Sequence, residues 1–245
     1  MNKLDEFIKY LNSKVNKAIY VWGAQGQQAT ERWIKAHESD PKHREAALKR
    51  FRELKAAGIH PIYAYDCSGL GMAWLQGRFF KSDLNANGMM GKCEKITVKQ
   101  LKRGDWVFRT YKSGANKGKA YHIGYVVDDK LNVVHAKGRA YGVVKEKFSA
   151  SYWNAYGMPL IFKTEIENQD WHVYRTLYEG RSGADVEGLQ KALVSAGYKL
   201  PKFGADGDFG EETKEAVIAY QKANKLTPNG KVSKTMVLRL GGIWK

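Results

Sequence analysis

The sequence predicts an α+β protein built from two domains: a larger one in which helices precede antiparallel strands, and a small one of three helices. Over residues 1–19, apolar side chains recur every three or four positions, as on one face of an amphipathic helix. From Ile96 onward the apolar residues alternate with polar ones, which is typical of strands. Beyond residue 163 the charge balance changes and short helical patterns return, which indicates a second domain.

The helical elements can be placed from their capping residues. One helix is expected near residues 28–38, and a second is expected to start at Asp40 and Pro41 and to stop at Gly58. Asp66 is a plausible N-cap for a helix that follows Cys67. Strands are predicted at 106–109, 121–127, 131–136 and 142–144, with a Gly- and Lys-rich loop at 112–119 between the first two.

The domain limits follow from composition. We expect a first domain at residues 1–163, a polar linker at 164–176, and a bundle of three short helices at 177–245. With 245 residues and 43% hydrophobic composition, the chain can bury ample core. No run approaches the roughly 18 apolar residues of a membrane span.

The charge is large and uneven. The formal net charge is +16; residues 1–163 hold 29 basic and 14 acidic side chains, whereas residues 164–245 hold 12 and 11. A basic domain of this kind concentrates on polyanions. Nucleic acid, an anionic cell wall and a membrane surface all fit this charge, but no zinc-finger spacing or RNA-recognition signature favours nucleic acid.

A cysteine and two histidines form the candidate catalytic group. Cys67 lies at the predicted start of a helix, where unpaired amides and the helix dipole favour a thiolate. If Asp128 and Asp129 form a two-residue hairpin loop, His122 and His135 lie directly opposite each other on one face of the sheet. A slip of one residue would separate them, so this inference depends on the register.

These three side chains suit a cysteine hydrolase. Cys67 would attack an amide carbonyl, His122 would protonate the leaving amine and then activate water, and His135 would orient the ring of His122. Backbone amides at Cys67 and Ser68 would hold the oxyanion. Each residue taken singly also has an ordinary structural interpretation, as a buried thiol or as a strand histidine.

The remaining cysteine and two further motifs do not point to chemistry. Cys93 has no histidine near it in sequence and is expected to be inert, although a disulfide with Cys67 would silence the nucleophile. The Asp-Gly-Asp motif at 206–208 lacks the later positions of a calcium loop and is expected to be a turn before a helix. His37, Glu38 and His43 are spaced wrongly for a zinc helix and are expected to be solvated surface. No cofactor or metal is therefore expected.

The order of short motifs in the first domain resembles the NlpC-type cell-wall peptidases, a papain-like family. The matching motifs are Tyr-x-x-Gly at 20–23, Asp-Cys-Ser-Gly at 66–69, Arg-Gly-Asp-Trp at 103–106, His-Ile-Gly at 122–124 and His-Ala at 135–136. The resemblance implies a papain-like α+β catalytic domain in which Cys67 is the nucleophile, His122 the base and His135 the third polar residue. The Gly-Asp element at 104–105 is expected to be a structural turn.

The same resemblance implies that Tyr20 helps the oxyanion site. In the family this tyrosine stands about a dozen residues before the cysteine, whereas Tyr20 stands 47 before Cys67. Residues 28–58 therefore resemble a helical insertion, and Tyr63 or Tyr65 could replace Tyr20.

The C-terminal domain resembles the three-helix peptidoglycan-binding domain of many wall hydrolases over residues 177–241. Together the two resemblances imply a peptidoglycan hydrolase that cuts the bond from γ-D-glutamyl to a diamino acid. An N-acetylmuramoyl-L-alanine amidase on the same fold, an inactive wall-binding protein and a nucleic-acid binder remain alternatives.

The N-terminus lacks an apolar signal region. This resembles a monomeric bacteriophage endolysin made in the host bacterial cytoplasm and released to the wall by a pore-forming partner. A secreted autolysin whose signal has been removed is the alternative.

Overall fold

The computed structural model describes residues 2–167 and 171–245. They form two compact units, one of Phe7–Ile161 and one of Met1–Glu6 with Phe162–Lys245. The chain starts with helix α1 (Lys3–Lys14). The helix predicted over residues 1–19 is confirmed for Lys3–Lys14, where Phe7, Ile8 and Leu11 are buried, but residues 18–19 belong to a strand.

A small sheet and two helices follow α1. Their bounds are β1 (Ala18–Tyr20), β2 (Gln25–Gln28), α2 (Glu31–His37), α3 (Pro41–Ala56) and β3 (Tyr63–Tyr65). Strand β3 is central, with β1 parallel and β2 antiparallel to it. Both predicted helices are present; α2 starts at Glu31 because the chain before it pairs as β2, and the Asp40 carboxylate caps α3 by accepting a hydrogen bond from the amide of His43 at 2.8 Å.

The segment between β2 and β3 adds a core of its own to the small sheet. Ile34 of α2 and Leu48 and Phe51 of α3 are buried in one cluster with Ile19 and Ala64 of the strands. The two helices therefore pack onto the sheet without separating β1 from β3. This matters for the site, because β1 ends at Tyr20 and the chain after β3 leads to Cys67.

The larger sheet has six strands. After α4 (Gly69–Leu75) and α5 (Ala86–Met90) come β4 (Cys93–Lys95), β5 (Trp106–Thr110), β6 (Ala120–Val126), β7 (Asn132–Gly138), β8 (Gly142–Lys147) and β9 (Ala155–Pro159). The order is β4-β9-β5-β6-β7-β8, and neighbouring strands are antiparallel. The four predicted strands correspond to β5, β6, β7 and β8, whereas β4 and β9 were not predicted.

The hairpin between β6 and β7 differs from the prediction. Tyr125 pairs with Val134 and Val126 with Val133. The turn is therefore two residues longer than the predicted Asp-Asp loop, and the Asp128 carboxylate stabilises it by accepting from the amide of Asn132 at 3.0 Å. The direct opposition of the two histidines was wrong, but a shift by two residues preserves the face on which each side chain lies.

The predicted Gly-Asp turn precedes β5. Gly104 adopts a φ of 96° and its amide donates to the carbonyl oxygen of Val126, while the amide of Val126 donates to the carbonyl oxygen of Asp105. The Asp105 carboxylate accepts from the amide of Lys102 at 2.8 Å. This turn therefore ties the start of β5 to the end of β6.

The second unit contains the three predicted helices. They are α7 (Ala184–Ser195), α8 (Glu211–Ala223) and α9 (Lys234–Arg239), and they follow α6 (Lys163–Glu167) and β10 (His172–Val173) and precede β11 (Ile243–Trp244). Strands β10 and β11 pair in parallel, an element absent from the prediction. Part of the predicted linker 164–176 is thus helix and strand, and its residues 168–170 lie outside the described residues.

Two buried glutamines hold the turns of this unit. The side chain of Gln190 donates to the Asp206 carboxylate at 2.7 Å and accepts from the amide of Gly207 at 2.7 Å. Gln221 accepts in the same way from the amide of Gly230 at 3.0 Å. The Asp-Gly-Asp motif is therefore the predicted turn before α8.

In the described part of the chain, no helix is both long and apolar enough to cross a membrane.

Candidate active site

Cys67 sits in the sharp connection between β3 and α4. The Asp66 carboxylate stabilises this connection by accepting from the amide of Gly69 at 2.6 Å and from the amide of Gly23 at 3.0 Å. The N-cap position of α4 is Ser68, so the predicted N-cap at Asp66 lies two residues too early. Helix α4 lies directly against β6 at Gly71. A Cβ atom at this position would collide with the Tyr125 hydroxyl, so the absence of a side chain allows the close approach. The turn and the glycine together place the Cys67 thiol over the sheet.

The thiol faces the backbone of β6 on both sides of His122. The Cys67 sulfur lies 3.9 Å from the carbonyl oxygen of Tyr121, and the amide of Ile123 is near enough to lower the pKa of the thiol. His122 itself is buried, with 8% of its surface exposed. The proposed nucleophile therefore lies beside the two residues that flank the proposed base in β6.

The two histidines are in direct contact. His122 Nε2 and His135 Nδ1 are 2.8 Å apart, and both rings are buried. In the observed register the two residues are diagonal neighbours across β6 and β7, so the contact is made by the length of the rings and not by facing Cβ atoms. The predicted pairing of His122 with His135 is present with a different backbone geometry.

An indole supports this pair. The ring of Trp153 stacks on His122 at 5.4 Å with an interplanar angle of 5°, and meets His135 edge-on at 5.2 Å. The indole reaches this position over Gly124, where a Cβ atom would lie 2.8 Å from the Trp153 ring. Only a glycine at position 124 leaves room for the Trp153 indole. Trp153 was not identified from the sequence.

A carboxylate continues the chain of hydrogen bonds. Glu146 Oε2 lies 3.1 Å from His135 Nε2, and Glu146 Oε1 accepts from Lys137 Nζ at 2.6 Å. Burial opposes ionisation of Glu146, but the hydrogen bonds from Lys137 and His135 hold the pKa of Glu146 below its ordinary value.

This carboxylate assigns the protons on both imidazoles. An ionised carboxylate can only accept, so His135 donates from Nε2 and accepts at Nδ1. His122 must then donate from Nε2, which leaves its Nδ1 with a lone pair. A neutral His122 in this tautomer can accept a proton at Nδ1.

Burial favours the neutral forms of both the thiol and the imidazole. Burial and the Asp66 carboxylate raise the pKa of the Cys67 thiol to about 12, and nearby amides only partly oppose them. Burial, His135 and the Arg109 guanidinium lower the pKa of His122 to about 3. Burial therefore opposes the thiolate that the helix start was expected to favour, and outweighs the amides beside the sulfur.

Tyr20 lies beside the nucleophile despite its distance in sequence. In the parallel pairing of β1 and β3, Tyr20 is opposite Tyr65, two residues before Cys67. Burial raises the pKa of the Tyr20 hydroxyl, and negative charge on the Cys67 and Asp66 side chains raises it further. Its hydroxyl is thus protonated and available to donate.

The two alternative tyrosines face elsewhere. The ring of Tyr63 lies against Lys14 of α1, with Nζ 5.6 Å from the ring centroid. The Tyr65 side chain is close to Tyr10, also in α1. The geometry therefore favours Tyr20 at the site.

The segment around Glu38 holds Tyr20 in place. The Arg139 guanidinium lies over the Tyr20 ring at 5.1 Å and makes a two-point ion pair with Glu38, at 2.9 and 3.0 Å. Glu38 is 3% exposed, so its expected place on the solvated surface was wrong. His37 and His43 are exposed, as expected.

Cys93 plays no part in this arrangement. Both cysteines are free thiols, so the alternative disulfide is not formed. The thiol of Cys93 donates to the carbonyl oxygen of Met89 at 3.5 Å, and burial raises its pKa.

Sequence reasoning missed Glu146, Trp153 and the pair of Glu38 with Arg139. Glu146 pairs with Val133 across β7 and β8, two residues from His135. The register of these two strands would therefore have placed Glu146 near His135. Trp153 and Glu38 carried no signal in sequence, since they reach the site from a loop and from the inserted helices.

Comparison with known families agrees with this geometry. The sequence model of the NlpC/P60 family matches residues 18–160, which include every residue of the candidate site. A model of a peptidoglycan binding domain matches residues 182–240, which include α7, α8 and α9.

Individual relatives match over shorter stretches. Two N-acetylmuramoyl-L-alanine amidases of Bacillus licheniformis are 48% identical over 54 residues, which is 22% of this chain and 15% of each relative. The chain thus spans a small part of the length of these relatives. The P60 domain of an antigen from M. avium subspecies paratuberculosis shares 16% identity at a TM-score of 0.42, over 64% of this chain and 93% of that one.

Proposed function

The chain belongs to the NlpC/P60 family, and on that premise we propose that it is a peptidoglycan hydrolase that cuts stem-peptide amides through an acyl-enzyme at Cys67. The observation that carries this proposal is the hydrogen-bonded pair of His122 and His135, with the Cys67 thiol beside the backbone of Tyr121, the neighbour of His122. A nucleophile, a base with its lone pair free and an orienting group are the parts that acyl transfer needs.

The proposed cycle begins with proton transfer from the Cys67 thiol to Nδ1 of His122. The sulfur attacks the amide carbonyl carbon, and the oxyanion is held by the amides of Cys67 and Ser68 and by the Tyr20 hydroxyl. The tetrahedral intermediate collapses as His122 gives its proton to the leaving amine. Water then loses a proton to His122 and attacks the thioester, which releases the acid and restores the thiol.

We propose the bond from γ-D-glutamyl to a diamino acid as the one that is cut. This choice rests on the family resemblance of the motifs around Cys67 and His122. An N-acetylmuramoyl-L-alanine amidase is the second candidate, because two curated relatives bear that name, although each match covers only 15% of the relative.

The C-terminal unit would anchor the enzyme to peptidoglycan, and its match to a peptidoglycan binding domain supports this role. The basic residues of the first domain would add attraction to anionic wall polymers. We propose that a monomer is made in the bacterial cytoplasm and acts at the wall after release, as an endolysin does; a secreted autolysin is the alternative.

Digestion of purified sacculi tests the proposal. The wild type and a Cys93→Ala variant should release fragments with new termini at D-glutamate, as read by mass spectrometry, and Cys67→Ala should release none. Fragments with freed lactyl groups of muramic acid would identify an amidase instead. Undiminished lysis by Cys67→Ala would refute thiol catalysis and leave a wall-binding protein.

A further inference from the structure

Arg109 places a positive charge beside the proposed base. It is the direct partner of His122 across β5 and β6. Its guanidinium carbon lies 4.4 Å from the ring centroid of Tyr152 and 5.2 Å from that of Tyr121. The Tyr152 ring in turn meets both imidazoles edge-on, at 6.4 Å from His122 and 6.0 Å from His135. The guanidinium is therefore part of the wall of the site.

A second arginine at the site shows what Arg109 lacks. Arg139 also stacks on a tyrosine, Tyr20, but its charge is balanced by the buried Glu38 through two hydrogen bonds. For Arg109, no carboxylate lies within ion-pair distance among residues 2–167 and 171–245. Stacking uses the faces of a guanidinium and leaves the donors at its edge free for a planar acceptor.

The unbalanced charge also opposes catalysis. Arg109 helps to lower the pKa of both His122 and His135, and so disfavours the imidazolium that must form when Cys67 gives up its proton. A substrate anion bound to Arg109 would balance this charge at the moment of reaction. Binding of such an anion would therefore lower the barrier as well as hold the substrate.

We propose that Arg109 binds a free carboxylate of one of the two residues that the scissile amide joins, and so selects substrates that carry this acid over those that carry its amide. The inference rests on the proposed function. A γ-linked D-glutamate has an α-carboxylate on the acyl side of the bond, and a diamino acid such as diaminopimelate has carboxylates on the amine side. Both present the planar acceptor that an arginine binds at two points.

Three synthetic tripeptides separate these sources. One is L-Ala-γ-D-Glu-diaminopimelate, the second has the α-carboxyl of D-Glu as an amide, and the third has the remote carboxyl of diaminopimelate as an amide. The wild type should cleave the first roughly ten- to a hundredfold better in kcat/KM than the amide that removes the bound acid. Arg109→Gln should lose this preference mainly by a higher KM for the acid, and Arg109→Lys should keep part of it.

Arg78→Gln is the matched control, since Arg78 also stacks on an aromatic ring, that of Trp74 at 5.0 Å. This variant should keep the wild-type preference. A preference that disappears with the second tripeptide identifies the acyl-side acid, and one that disappears with the third identifies the amine-side acid; either supports the proposal. Equal cleavage of all three by the wild type, or an equal loss on all three in Arg109→Gln, would overturn it.

Failure of the proposed function is read separately from the same reactions. If the wild type lyses sacculi but leaves the γ-D-glutamyl bond of every tripeptide intact, the assignment of the bond fails and this inference fails with it. If the bond is cut without discrimination, only the role of Arg109 is lost.

Discussion

The carboxylate of Glu146 should control the proton positions at the site, and Glu146→Gln tests this directly. In the wild type the acceptor-only carboxylate at 3.1 Å from His135 Nε2 determines the tautomers of both imidazoles. An amide of the same shape can donate as well as accept. When this amide donates to Nε2 of His135, His135 carries its proton on Nδ1 and donates to Nε2 of His122. Nδ1 of His122 then carries a proton and cannot accept one from Cys67.

The size of the effect follows from the exposure of Glu146. A hydrogen bond to a charged group is worth about 1.5–3 kcal/mol. The Glu146 side chain is 43% exposed and is also paired with Lys137, so water screens part of its charge and the lower end applies. About 1.5 kcal/mol corresponds to a roughly tenfold fall in kcat, with little change in KM because Glu146 lies behind His135.

The assay is steady-state hydrolysis of a soluble muropeptide, with thermal unfolding as a check on the fold. Lys137→Met is the matched control: it removes the other ion pair of Glu146 but keeps the contact with His135, and should lower kcat less than threefold. If Glu146→Gln retains full kcat, or if Lys137→Met costs as much, the carboxylate does not set the tautomers.

Three further outcomes are expected. Tyr20→Phe should lower kcat about a hundredfold by removing an oxyanion donor, whereas Tyr65→Phe should not. Equal effects of the two substitutions would mean that Tyr20 is no better a candidate for this donor than Tyr65. In a Cys93→Ala background, the alkylation rate of Cys67 should rise about tenfold per pH unit from pH 6 to 9, because a thiol with a raised pKa is neutral until well above neutrality; a plateau already at pH 5–6 would show a preformed ion pair. Gly124→Ala should destabilise the fold by about 1–3 kcal/mol and reduce activity, since its Cβ would meet the indole at 2.8 Å; unchanged thermal unfolding would contradict that packing.

Local patterns were sufficient for the elements that carry the site. The capping residue Asp40 marked the start of α3, Asp66 lies two residues before the N-cap of α4, and alternation marked β5, β6, β7 and β8. The hairpin shows the limit of such reasoning. Its loop was predicted two residues too short, because Asp-Asp is by itself a turn signal in sequence. The actual turn is longer and is closed by the hydrogen bond from the Asn132 amide to the Asp128 carboxylate.

By itself the sequence determined which groups are the candidates for the chemistry, since side-chain periodicity and short motifs depend only on neighbours along the chain. Cys67, His122 and His135 could be named in this way, and an even shift of register left both histidines on one face. Only the tertiary structure decided what surrounds them. Tyr20 reaches the nucleophile through the parallel pairing of β1 with β3, and Glu146 reaches His135 from β8. The protonation of the thiol was likewise decided by burial, because desolvation is a property of the packed core and has no signature in local sequence.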